Sequence, residues 1–117
     1  MEYTIMNWFY GILFFFLAHA AAFLQLNGQF KWEWFAKHEW VIALFGVPMS
    51  FFYIWGTKYT VAAMDGLLWP TRFIGFGIGI IIYAILVNLI FGEGFSTKTI
   101  VSITLSVILI CIQAFWK

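Results

Sequence analysis

Charge-free apolar stretches alternate with short polar ones along the whole chain. The stretches run roughly over Ile5–Leu26, Trp40–Thr57, Phe73–Gly92 and Ile100–Trp116, each near the ~17–25 residues that a helix needs to cross a hydrocarbon core. Such continuous apolarity, without period-two alternation, predicts helices rather than the strands of a membrane barrel. The segment between Lys58 and Arg72 is too apolar for an ordinary loop, so a turn near Lys58 and an early start to the third helix are expected. The predicted spans are then about 5–26, 40–57, 60–92 and 99–116. The fold class that follows is all-α: an integral membrane four-helix bundle, one domain over residues 1–117, with no room for a soluble one.

Helical spacing assigns faces. Gly11, Phe15, Ala18, Ala22 and Gln25 share one stripe of the first helix, with His19 at its edge. Small residues let backbones approach closely in lipid, so this stripe is expected to meet the bundle while Phe14, Leu17 and Leu24 suit lipid. Gly46 and Pro48 lie near the middle of the second span, where proline removes a backbone donor and bends the helix. That bend is either a shape feature or the opening of a cavity. On a continuous third helix bent at Pro70, Asp65, Arg72, Gly79 and Tyr83 fall on nearly one face, and Gly75-x-x-x-Gly79 supplies a small-residue contact. Gly92-Glu93-Gly94 ends that helix. Thr99, Ser102, Ser106 and Gln113 form a polar stripe on the fourth, expected to face protein within the bundle or across a dimer.

Composition sharpens the class. The chain is 64% hydrophobic, 23% aromatic and only 9% charged, more apolar than a soluble domain of this size can hide. Residues Asn27–Glu39 interleave lysines and glutamates with Phe30, Trp32, Trp34 and Phe35, the pattern of an interfacial segment rather than of a nucleic-acid site. The single cysteine, Cys111, cannot form an intrachain disulfide and reads as a small buried hydrophobe. Leu13–Leu17 followed by Ala18-His19-Ala20 has the outline of a leader with a cleavage site, but Glu2 and no Lys or Arg precede it, so a retained first helix is expected. With four spans, Lys58, Arg72 and Lys117 fall on one side and Lys31, Lys37 and Lys98 on the other. This balance selects no orientation by the positive-inside rule and is compatible with an antiparallel pair. No P-loop, metal-ligand spacing, nucleophile elbow or triad is present, so neither an enzyme nor a cofactor or metal site is expected.

Three polar residues remain stranded in this apolar chain: His19, Asp65 and Arg72. Polar groups inside a bilayer are costly and face protein or water. His19 is either a neutral imidazole bonded to a neighbouring helix or a group that carries protons near neutrality. Arg72 keeps its proton, so it either snorkels to the interface or faces a polar cavity and binds an anion, with Asp65 placed to neutralise it two turns away.

The layout resembles the small multidrug resistance family of the drug/metabolite transporter superfamily. The resemblance covers most of the chain, beginning at Met6-Asn7 and strongest in the third helix at Gly77-x-Gly79 and Ile90-Phe91-Gly92-Glu93. It implies a transporter fold working as a homodimer in a bacterial-type inner (plasma) membrane. The departures carry information too. His19 stands where the family has its membrane-buried glutamate, Gly75 where it has a substrate-site tryptophan, Arg72 where it has an aromatic, and Ser102 where it has a dimer-contact glycine. A site with His19 and Arg72 would repel a cation. The expectation is therefore a small transporter-like dimer moving a neutral or anionic solute, with His19, Arg72, Asp65 and Tyr83 as the substrate or proton site. Helix packing falls to Gly11, Ala18, Ala22, Gly75, Gly79, Ser102 and Ser106. The alternative is a non-transporting subunit packed through its aromatic faces against a larger membrane complex.

Overall fold

The computed structural model describes residues 2–116, with side chains from Thr4 onward. Lys117, counted in the charge balance above, and the side chain of Glu2 lie outside the described residues. The order is α1 (Glu2–Asn27), a short 3-10 turn (Gly28–Phe30), α2 (Glu33–Lys37), α3 (Glu39–Leu44), α4 (Gly46–Ala63), α5 (Leu68–Leu86) running into a π-turn (Val87–Phe91), and α6 (Thr97–Phe115). No strand occurs among the described residues. Four helical stretches are long and apolar enough to cross a membrane: Thr4–Phe30, Glu39–Ala63, Leu68–Phe91 and Thr97–Phe115.

The first helix is the centre of the bundle. It packs along α4 on one side and α5 on the other; α6 packs on α5, and α4 and α5 touch each other little. Small residues set these contacts. The Phe15 ring, 4% exposed, is held between Gly56 of α4, where a Cβ would come within 2.9 Å of the ring, and Gly75 of α5, where it would come within 3.3 Å. One turn earlier Gly11 lies against Thr60, and one turn later Gly79 lies against the His19 ring. Ala18 is fully buried. Since the hydrocarbon around the bundle is as apolar as its core, this close fit rather than water exclusion holds the helices together. Phe14 is not turned wholly to lipid: it stacks on Phe52 and Tyr59 of α4. On the far side, a Cβ at Gly77 would meet Ile110 at 2.6 Å, and Ser106 is buried in the same contact with its hydroxyl donating to the Ser102 carbonyl at 3.0 Å. Ser102 itself is exposed and bonds its own helix at Lys98, 2.8 Å. Cys111, expected to be buried, is exposed on α6, where a membrane would put lipid.

The turn between the second and third spans differs from expectation. The second span does not stop near Lys58 but runs to Ala63, and the third starts at Leu68 rather than near residue 60. The reason is a helix C-cap. The Gly66 N–H donates to the Val61 carbonyl at 2.9 Å, and Asp65 takes the left-handed conformation, φ 57°, at the position where glycine is usual. Aspartate visits that region more readily than most residues, so the stop signal is an Asp-Gly pair following an apolar helix. Pro70 is the third residue of α5, where it costs no hydrogen bond, so it starts the helix instead of bending it.

Pro48 does mark a break. α3 ends at Leu44, Phe45 is a turn, and α4 restarts at Gly46, because the proline cannot donate to the carbonyl four residues back. The side chain of Gln25 donates to the Ile42 carbonyl at 3.2 Å at this bend, a second bond to a group that also accepts from the Phe45 N–H, and so ties α1 to the break.

Candidate functional site

The little-contacting pair α4 and α5 stand apart over α1, and the space between them is a cleft. α1 is its floor. The outer lobe, about 550 Å³, is lined by Phe15 and His19 from α1, Tyr53 and Thr57 from α4, and Thr71 and Arg72 among others from α5. The inner lobe, about 230 Å³, is lined by Ala22, Phe23 and Asn27 from α1 and by Gly79, Ile80 and Tyr83 from α5, among others. The two lobes meet at His19, Tyr53 and Phe76.

His19 owes its position to helical spacing and to a glycine. Its Nδ1 lies 3.2 Å from the Phe15 carbonyl. A carbonyl only accepts, so this contact places the proton of a neutral imidazole on Nδ1 and leaves Nε2 as an acceptor. The Nε2 edge of the ring lies against the bare backbone of Gly79, and the ring centroid is 5.3 Å from that of Tyr53. Nε2 has no hydrogen-bond partner among the described residues. The expected bond from His19 to a neighbouring helix is not found among the described residues: one nitrogen is tied to its own helix, because a carbonyl one turn back lies within reach, and the other has no hydrogen-bond partner among them.

Arg72 sits one turn into α5, exposed and lining the outer lobe. Seven residues separate it from Gly79, so at the helical rise it lies about 10 Å above the level of His19 along α5. The expected Asp65 partner is not there: among the described residues Arg72 has no carboxylate within ion-pair distance, and Asp65 lies in the interhelical turn instead of on α5. Neither lobe has an Asp or Glu in its lining. The fixed charge of the cleft is therefore a single unpaired guanidinium, which favours anions over cations. Thr71 beside it is only 4% exposed and its hydroxyl has no partner among the described residues, a costly state for a buried polar atom.

Of the four residues expected at the site, His19 and Arg72 share the outer lobe, His19 and Tyr83 share the inner one, and Asp65 lines neither. Tyr53, Thr57, Thr71 and Phe76 join them, beyond what the sequence pattern suggests. A signal for part of this set is present: Tyr53, Thr57 and Thr60 recur at helical spacing on the second span, a polar stripe on an apolar helix. The Pro48 bend borders a separate space of about 310 Å³ whose lining includes Ala21, Leu24, Phe45, Met49 and Phe52, so the break is accompanied by a cavity, though not by the one that holds His19.

No protein-family model, curated protein or solved structure matches this chain.

Proposed function

We propose that the chain is a small membrane carrier that binds a neutral or anionic solute in the cleft between its second and third spans and exposes it alternately to the two sides. One observation carries this reading: His19, with a free ring nitrogen, stands where the two lobes of a cleft across the bundle meet, and the outer lobe holds the unpaired Arg72. A solute held at Arg72 occupies the lobe that ends at the His19 waist, and a change in the separation of α4 and α5 would move the opening from one lobe to the other. The weak contact between those two helices supports such a motion. The resemblance to the small multidrug resistance family adds the expectation of a homodimer, with His19 in place of the family's glutamate and so without its preference for cations.

Reconstituted in liposomes, the protein is expected to take up small labelled carboxylates or phosphates faster at acid than at alkaline outside pH, and His19→Ala is expected to remove that dependence. Uptake by His19→Ala with an unaltered pH profile sinks the mechanism. A second reading has its own observation. α6 packs chiefly on α5, and Ile100, Leu105 and Ile108 are exposed along it, a surface that another membrane protein could cover. Purification from mild detergent with a stoichiometric foreign partner favours that accessory role, and a clean homodimer counts against it.

A further inference from the structure

The outer lobe of the cleft is the roomier and the more polar; the inner lobe is smaller and lined mostly by apolar side chains, with Asn27 and Tyr83 at its polar points. The outer lobe of about 550 Å³ holds Arg72, Thr71 and Thr57; the inner lobe of about 230 Å³ runs past Ala22, Ile80 and Tyr83. Phe76 belongs to both lobes and is 57% exposed, and Tyr83 is 49% exposed, so in the isolated chain the groove is open along its side and not only at its ends. A small hydrophilic anion would use the Arg72 end and leave the apolar lobe without a purpose.

We infer that the ligand is a single-chain amphiphile, an oxyanion head on a hydrocarbon tail, that enters sideways from the bilayer. The head is held by the Arg72 guanidinium, which has no carboxylate partner among the described residues, and takes a hydrogen bond from the Thr71 hydroxyl, which is buried and has no other partner among them. The bond from the charged guanidinium is the stronger, and the neutral hydroxyl beside it fixes the head in position. The tail passes His19 and Tyr53 and lies in the inner lobe. The smaller volume of the inner lobe matches one chain below one head. This inference rests on the carrier reading for its purpose but not for its geometry.

The test uses the full chain in nanodiscs of phosphatidylcholine and, as probe, dodecyl phosphate with a photoactivatable group near the end of its chain. Labelling is expected around Ala22–Leu26 and Ile80–Tyr83. Unlabelled dodecyl phosphate competes; inorganic phosphate and dodecanol do not. Arg72→Gln lowers labelling about ten-fold, as loss of a charge-assisted hydrogen bond should, and Arg72→Lys restores part of it. Ala22→Leu, which fills the inner lobe without touching the head site, shifts the preference to shorter chains. Equal competition by inorganic phosphate would reduce the site to a headgroup pocket, and equal competition by dodecanol would reduce it to an apolar groove. Competition by phosphatidylglycerol as strong as by dodecyl phosphate would make the occupant a bilayer lipid. Any of these, or full labelling of Arg72→Gln, overturns the inference. Uptake measured on the same variants keeps the two ideas apart. Labelling that follows Arg72 without flux removes the carrier reading and leaves this site, whereas flux that persists while labelling fails removes this site alone.

Discussion

The Nε2 edge of His19 rests on Gly79, with no room between them for a Cβ. One contact therefore joins the first span to the third at the waist of the cleft, and it depends on residue 79 having no side chain.

Gly79→Ala is expected to turn the imidazole away from α5 and break its Nδ1 contact with the Phe15 carbonyl. The readout is the 15N spectrum of histidine-labelled protein. Since His38 makes a similar contact with the Trp34 carbonyl at 2.7 Å, the experiment needs a His38→Gln background. The neutral parent should show the Nδ1–H tautomer and the Gly79→Ala protein a loss of it, with altered uptake. Alanine is the better helix former by about 0.5–1 kcal/mol, so a drop in stability is not the expected signature. An unchanged spectrum would mean that the ring does not sit on Gly79.

Phe15→Ala empties the space between Gly56 and Gly75. In water-soluble cores such a truncation costs about 3–5 kcal/mol. Here the separated helices would still lie in hydrocarbon, so the transfer part falls away and the cavity part remains, about 2 kcal/mol. Reversible unfolding in mixed micelles measures it. A cost near zero would place Phe15 against lipid instead of between two helices.

Asp65 has a left-handed backbone and no ion pair with Arg72 among the described residues. Asp65→Val should destabilise the fold by about 1–2 kcal/mol, because a β-branched side chain fits that conformation poorly. Asp65→Gly should not, and it should leave Arg72-dependent binding as it is. If Asp65→Gly instead weakens binding as Arg72→Gln does, the two residues work as a pair after all.

Much of the bundle is legible in particular residues. Four apolar lengths show as four helices, and the stripe from Gly11 to Gln25 does face α4 and α5, because only small or flat side chains let α1 lie between two neighbours. The turn after Ala63 is hidden, since its stop signal is an aspartate in a conformation that usually marks glycine, embedded in an apolar run. That concealment puts Asp65 on the wrong element and pairs it with Arg72. Tyr53 and Thr57 are legible only as a faint polar stripe. Their place in the site comes from the gap between α4 and α5, which depends on how three helices pack and leaves no mark at any one position.

Binding and transport both require that water reach the polar end of the cleft between the second and third spans. Single cysteines at Thr57 and Arg72, in a Cys111→Ala background, test this directly with a membrane-impermeant thiol reagent applied to protein in liposomes, freeze-thawed so that the reagent is on both faces. Leu105→Cys on α6 serves as the control; Leu105 is 60% exposed in the isolated chain but would be covered by lipid in the membrane. Thr57→Cys and Arg72→Cys are expected to react while Leu105→Cys stays inert. Cleft cysteines as inert as Leu105→Cys would contradict a water-accessible cleft.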